Sequence, residues 1–467
     1  MNVIREYGID LFTETFKEAI RDEFVNTQYQ ASHVRIRLHM PSRLQALPWE
    51  IMHLPEEMHQ TFLCLTTNLT LVRLRPAMTT GISIPLQLPL RILIIVSTPL
   101  DYAPVSARVE VNRLLQTLAG LIREGRAVVD FVQGADTSGG MLTKTRLSSY
   151  HIIHFIGHTG DASGPLRLIF EDRGRKSKAI TARRLVQHFA ASNLPSVVLL
   201  NTCEAAASSV ITPLTGIAEN LLELGVSVVI AHQFEISDEA AVTFTRRIYE
   251  GLADGVSLEE AVTAGRNELD EQYTVEALTP AIFLHNASSG LFIIQATKRA
   301  PSAEVDTLLG RAEAAAAAGR WEEAASYAYE TLLVQPDALK AVDLYQRAEL
   351  EEALDSALHH AVFHKHLRNW PEVLESCERY LSNSYAQNRP AGEREQVALI
   401  KANAYLQLAQ EAEDANDWVC ALRVYEKYSA DSIFAACPES ERGRITSLKH
   451  LAQAHLGFCD PWLRWRG

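Results

Sequence analysis

The stretch His151-Ile-Ile-His-Phe-Ile-Gly-His-Thr-Gly160 is the one whose reading decides the fold. Its apolar, β-prone half reads as a buried strand. Gly157-His158-Thr159-Gly160 then reads as a tight turn with an imidazole at its tip. Forty-five residues after His158 the design recurs: Val197-Val198-Leu199-Leu200 is a second apolar strand, and it runs into Asn201-Thr202-Cys203-Glu204. Apart from Cys64, Cys203 is the only cysteine in the first three hundred residues. A histidine and a cysteine at the carboxyl ends of two neighbouring parallel strands make a nucleophile–base pair.

Working outward toward the amino terminus, Arg91–Ser97 is a continuous apolar strand of the kind buried on both faces of a parallel sheet. A loop Thr98–Asp101 follows it. Next come a helix Val105–Arg123, expected to bury Val109, Leu114, Leu115, Leu118, Leu121 and Ile122, and a strand Ala127–Val132. A Gly-rich loop Gly134–Leu142 and a short helix Leu142–Leu147 lead into the opening stretch. Further upstream, residues 1–30 read as one or two amphipathic helices. Val34–Met40 alternates as a half-buried strand, and Leu69–Leu74 alternates likewise, which suggests an antiparallel pair. Pro76–Pro89 reads as a connector.

Toward the carboxyl terminus, Leu166–Phe170 is a candidate hairpin arm, and Thr181 caps a helix Thr181–Ala190. Helix Gly216–Leu224, strand Val226–Ala231 and helix Ser237–Leu252 come next. Helix Ser257–Asp270 opens on a Ser257/Glu260 capping box, and Ala281–Phe283 and Leu291–Ile294 read as final strands. Strand and helix alternate over this span, which predicts a mostly parallel sheet with helices on both faces. After about residue 297 alanine and glutamate rise and the chain reads as helix to its end. Trp321, Trp370 and Trp418 each follow a polar turn, 49 and 48 residues apart, so a helix–turn–helix unit recurs three times. In the first unit Gly319, Trp321, Ala324, Ala328 and Pro336 sit as in a tetratricopeptide repeat, although that repeat is usually about 34 residues.

The 467 residues exceed one core, so two or three domains are expected. With 47% apolar residues, 22% charged residues and a net charge of −13, the chain reads as soluble and globular, and the charge excludes a general nucleic-acid binder. The six cysteines form no CxxC, so free thiols in a reducing compartment are expected. The opening MNVIREYGIDLF has no apolar leader, and no apolar run reaches membrane length; a cytoplasmic location without membrane contact is expected.

On residues alone, Cys203 also fits a small buried side chain after an apolar strand, and His158 a structural histidine in a glycine turn. His151, His154 and His158 are candidate metal ligands, but His151 and His154 point to opposite faces of a strand. No cofactor or metal is therefore expected. As a pair, His158 would take the thiol proton of Cys203 and return one to a leaving amine. Backbone N–H groups after His158 and at Cys203 would form an oxyanion hole.

The order of motifs resembles the CHAT peptidase family, the caspase-like and separase-like cysteine proteases of clan CD. Leu47-Pro48-Trp49-Glu50 resembles its PWE motif, and Pro89–Pro99 its apolar strand ending in Pro. Ile152–His158 resembles its HfaGHG strand, and Val198–Ala205 its LnaCesa strand. Gly216–Val226, Ile236–Leu252 and Ser257–Arg266 resemble three further motifs, so the likeness covers roughly residues 8–295. The resemblance implies a caspase-like α/β sandwich, with a mostly parallel sheet and helices on both faces, followed by an all-α helical-repeat domain. It implies an α+β part over 1–88, a catalytic part over 89–297 and tetratricopeptide-like helices over 298–467.

For the site, the resemblance implies Cys203 as nucleophile, His158 as general base, His154 as a supporting histidine and Gly157 as the residue that shapes the turn. The family usually has Gly after the catalytic His; here Thr159 stands there, which keeps the N–H but resists positive φ. Glu235 and Asp238 are the implied readers of a basic P1 side chain, with Asp101 at the same mouth; Asp238 would alternatively cap the helix from Glu239. The function implied is a bacterial signalling or defence endopeptidase that cuts a protein substrate and is controlled through its helical repeats by a protein partner. A catalytically weak or inactive scaffold on the same fold, binding a signalling partner through its repeats, is the alternative.

Overall fold

Among the described residues ten strands form one sheet, and the run of five parallel strands in it carries the stretch His151–Gly160. The computed structural model describes residues 2–58, 61–74, 89–103, 107–134, 136–147, 149–160, 167–187, 189, 194–204, 215–234, 236–285, 302–336 and 338–459. The expected connector at Pro76–Pro89, apart from its last residue, and the strand at Leu291–Ile294 lie outside them. By its packing the chain forms two units, Met1–Pro99 with Val105–Ala348, and Leu100–Pro104 with Glu349–Gly467.

The first unit begins with α1 (Asn2–Thr15) and α2 (Glu18–Gln30), joined by the buried rings of Phe12, Phe16 and Phe24. Then come β1 (Val34–His39), the single-turn α3 (Ser42–Gln45) and β2 (Leu69–Leu74). The central part runs β3 (Leu90–Val96), α4 (Ala107–Arg123), β4 (Ala127–Val132), α5 (Thr137–Leu147) and β5 (Ile152–Gly160). It continues through β6 (Arg167–Glu171), β7 (Ser177–Ile180), α6 (Ala182–Val186), β8 (Val197–Glu204), α7 (Thr215–Glu223) and β9 (Val228–His232). α8 (Asp238–Ala253), α9 (Leu258–Asp270) and β10 (Pro280–Leu284) complete it.

The strand order is β1-β2-β10-β9-β8-β5-β3-β4, with the β6–β7 hairpin attached to the end of β5. All pairs along the main order are parallel except β10 with β9. Even-numbered side chains of β5, such as Ile152 and Ile156, join one core with Leu114 of α4, Phe244 of α8 and Val262 of α9. Odd-numbered ones, Ile153 and Phe155, join a second core with Met141, Leu185 and Leu221 on the other face. Helices therefore cover both faces, as the alternation of strand and helix requires.

Local signals in the sequence are realised in several places. Thr181 caps α6 and Ser257 forms a capping box with Glu260. Three expectations are corrected. β1 and β2 are parallel rather than antiparallel, because the chain between them crosses over through α3 and several single 3-10 turns. Val109 is 48% exposed and Val111 takes its place in the buried stripe of α4. The chain does not turn at Gly157–Gly160: β5 runs extended through Gly160, because β8 and β6 pair with it on either side up to that point.

Two more helices pack within the first unit, α10 (Ser302–Ala317) and α11 (Trp321–Val334). α11 lies along the edge strand β4. The N–H of Phe131 donates to the Tyr327 hydroxyl (3.3 Å) and that of Gln133 to Glu323 Oε1 (3.2 Å). Tyr327 in turn donates to Asp130 Oδ1 (2.9 Å). These bonds occupy backbone donors that an open sheet edge would offer to another chain.

α12 (Leu339–His366) carries the chain across the division at residue 348. The second unit then holds α13 (Trp370–Ser382), α14 (Ala391–Asp414), α15 (Trp418–Ala430), α16 (Ser432–Ala436) and α17 (Glu439–Cys459). It repeats at 48 residues. Trp370 and Trp418 open matching helices, and Asn383 and Asp431 each cap the next turn through a side-chain oxygen. Tyr380 and Tyr428 each bond a glutamate thirteen residues on, Glu393 and Glu441.

Candidate active site

β5 and β8 are adjacent and parallel, and their register makes His158 and Cys203 direct partners, with Thr159 opposite Glu204. Strand alternation puts positions 158 and 203 on the same face of the sheet, at the carboxyl ends of their strands. On its other side β5 pairs with β6, His158 opposite Ile169 and Thr159 opposite Leu168. His158 is 2% exposed and Thr159 is buried with it. Thr159 is not among the residues at positive φ, so the extended path suits a β-branched residue there.

Gly157 is needed for closeness and not for a turn. A Cβ at that position would stand 2.7 Å from the carbonyl oxygen of Ser97, at the end of the neighbouring strand β3. His154, two alternations below His158, has no exposed surface. Its Nε2 stands 3.4 Å from Oε1 of Glu110 on α4, and its ring stacks on Tyr249 of α8. His151 is also accounted for: its Nδ1 accepts the N–H of Arg91 (3.1 Å), tying the starts of β3 and β5.

Other candidates for the chemistry are set aside by their surroundings. Burial pushes the thiols of Cys64 and Cys377 up to about 12, which leaves essentially no thiolate at neutral pH. Burial, with His154 and Arg266 nearby, holds His232 down to about 3, too weak a base to accept a thiol proton. No group of three His, Cys, Asp or Glu side chains placed to hold a metal ion occurs among the described residues.

The strand next to β8 ends at His232, and the following Gln233 is locked in place. Its amide nitrogen donates to Glu50 Oε2 and its Oε1 accepts from Arg73 (2.6 Å). Arg73 also bonds both oxygens of Glu50. Glu50 is the acid of the Pro48-Trp49-Glu50 motif, so that motif anchors the end of β9, from which the chain leads on toward α8. Glu235 lies outside the described residues. Asp238 is the first residue of α8; the cap is Ser237, whose hydroxyl accepts from Ala240 N, so the alternative of Asp238 as cap is corrected. Asp101 is exposed in the turn after β3, within the short segment that groups with the second unit.

Glu110 and Arg73 escaped the sequence reading. Each left a trace: Glu110 is an acid on the apolar stripe Ala107, Val111, Leu114, and Arg73 is a charge inside the apolar strand Leu69–Leu74.

The model of the CHAT domain family matches residues 5–370. The chain belongs to the CHAT family. CHAT proteins form a caspase-like protease family, and the fold here is of the cysteine-peptidase type. No curated protein matches the chain. Among solved structures it is similar to a chain of the Saccharomyces cerevisiae separase–securin complex, at 14% identity and a TM-score of 0.30. That likeness covers 56% of this CHAT chain and 15% of the other. Among the described residues no helix is long and apolar enough to cross a membrane.

Proposed function

We propose that the protein is a cysteine endopeptidase in which Cys203 is the nucleophile and His158 the general base. The register of β5 and β8, which sets the two residues opposite each other at neighbouring strand ends, is the observation that carries this reading. His158 takes the thiol proton of Cys203, and the thiolate adds to the scissile carbonyl carbon as its π pair moves to oxygen. The backbone N–H groups of Cys203 and Thr159 are the donors proposed for that oxygen. The intermediate collapses, the C–N bond breaks, and His158 protonates the leaving amine. A water that gives a proton to His158 then attacks the thioester, releasing the new carboxyl group and the thiol.

Glu235 and Asp238 are the proposed readers of a basic P1 residue. A carboxylate favours Arg over Lys there, because the guanidinium fork is matched by two oxygens. The burial of His158, with β6 paired alongside, supports a site that opens only on a signal, and the helical second unit is the proposed receiver of a protein activator. A scaffold on the CHAT fold that never turns over would keep His158 buried in the same way. Peptides containing Arg or Lys, incubated with wild type and with Cys203→Ala, separate the two. The peptidase reading expects cleavage after Arg by wild type and none by Cys203→Ala; no Cys203-dependent cleavage, with product absent from both proteins or equal in both, overturns it.

A further inference from the structure

The polar group that ties β5 to β8 beneath the pair belongs to neither strand. Glu110 lies on the buried stripe of α4 and is 5% exposed. Its Oε1 accepts the Nδ2 amide of Asn201 in β8 and faces Nε2 of His154 in β5 at 3.4 Å. Asn201 precedes Cys203 by two residues, and His154 precedes His158 by four, so all four positions share one face. Among the described residues neither ring nitrogen of His154 has a hydrogen bond; its ring faces Oε1 of Glu110 and stacks on Tyr249.

A buried carboxylate is costly unless it is paired, and an aliphatic residue at 110 would complete the stripe of α4 without that cost. What the acid adds is a link: one oxygen on α4 orders a side chain from each of the two strands that end in the candidate pair. We propose that Glu110 is a positioning residue for His158 and Cys203, fixing Asn201 and His154, the polar side chains that precede the pair on the same face of β8 and β5. The inference rests on the dyad reading above. It assigns Glu110 no contact with substrate.

The test reads the thiol rather than turnover. Full-length protein is treated with iodoacetamide across pH 5–9, and alkylation of Cys203 is followed by mass spectrometry of its peptide. His158→Ala is expected to slow alkylation of Cys203 by about tenfold or more at neutral pH, because the thiolate loses its partner. Glu110→Ala is expected to slow it by about tenfold, Glu110→Gln, which still accepts from Asn201, by no more than about threefold, and Glu110→Ala added to His158→Ala by less than about twofold. Wild-type reactivity in Glu110→Ala, or a full further loss in the His158→Ala background, overturns the positioning role. If Glu110→Ala does not fold, Asn201→Ala replaces it: the same tenfold loss supports the role and an unchanged rate overturns it. Unchanged reactivity in His158→Ala sinks the dyad reading itself, and this inference with it, a result distinct from any seen with Glu110 alone.

Discussion

Glu50 and Arg73 form an ion pair with no exposed surface on either side chain. The pair links the Pro48-Trp49-Glu50 motif to β2, and through Gln233 to the end of β9. Burying two charges is repaid only while both are present and bonded. Glu50→Ala, which strands Arg73, is expected to lower stability by about 3–5 kcal/mol. Glu50→Leu combined with Arg73→Met is expected to cost less than either single change, because no orphaned charge remains. Urea denaturation of Glu50→Ala, the two single variants and the double checks this; a double variant as unstable as the sum of the singles contradicts it.

A second expectation concerns pH. Glu171 closes β6, and its Oε1 accepts the N–H of Thr98 at 2.8 Å, beyond the end of β3. Burial pushes its carboxyl up to about 7 from an ordinary value of 4.5, against the pull of Arg175 and with a push from Glu322. The folded chain therefore binds this proton more tightly than the unfolded chain. Its contribution is fully present below about pH 4.5 and is lost as pH rises through about 7, by at most about 3 kcal/mol. Glu171→Gln is expected to remove that decline. Denaturation midpoints of wild type and variant between pH 5 and 8 measure it, and parallel pH curves for the two proteins would refute it.

The edge of the sheet gives a third. Tyr327 and Glu323 of α11 occupy backbone donors along β4, and Arg311 of α10 pairs with Asp130 at 3.0 Å. A chain ended after residue 297 lacks these contacts, and its β4 edge is expected to pair with other copies. A chain ended after residue 348 keeps them and is expected to stay monodisperse. Light scattering and thermal unfolding distinguish the two, and equal behaviour would show that α10 and α11 do not protect the edge.

These relationships mark where sequence was informative. The apolar runs of β3, β5 and β8 were legible because a strand buried on both faces is apolar at nearly every successive position until its carboxyl end. Their carboxyl ends located His158 and Cys203, and the Ser257/Glu260 cap was legible because its partners are three residues apart. The direction of β1 against β2 was not, since alternation fixes which face is buried and says nothing of parallel or antiparallel pairing. Nor was the extended path through Gly157–Gly160, because glycine permits a turn and only the arrival of β6 and β8 alongside decides against one. Gly157 is glycine for the sake of the Ser97 carbonyl, sixty residues away. Glu110 showed only as an acid on an apolar stripe, and its role was hidden for the same reason: Asn201, its hydrogen-bond partner, is 91 residues distant.

The central claim is that His158 and Cys203 act as one chemical unit at the ends of β5 and β8. A peptidyl acyloxymethyl ketone with Arg at P1 tests it most directly, because displacement of its carboxylate by a thiolate leaves a stable thioether. Intact-mass and peptide mapping of wild type should show a single adduct, on Cys203, and His158→Ala should lose it. An adduct on another cysteine, or one on Cys203 that forms equally well in His158→Ala, would contradict the account.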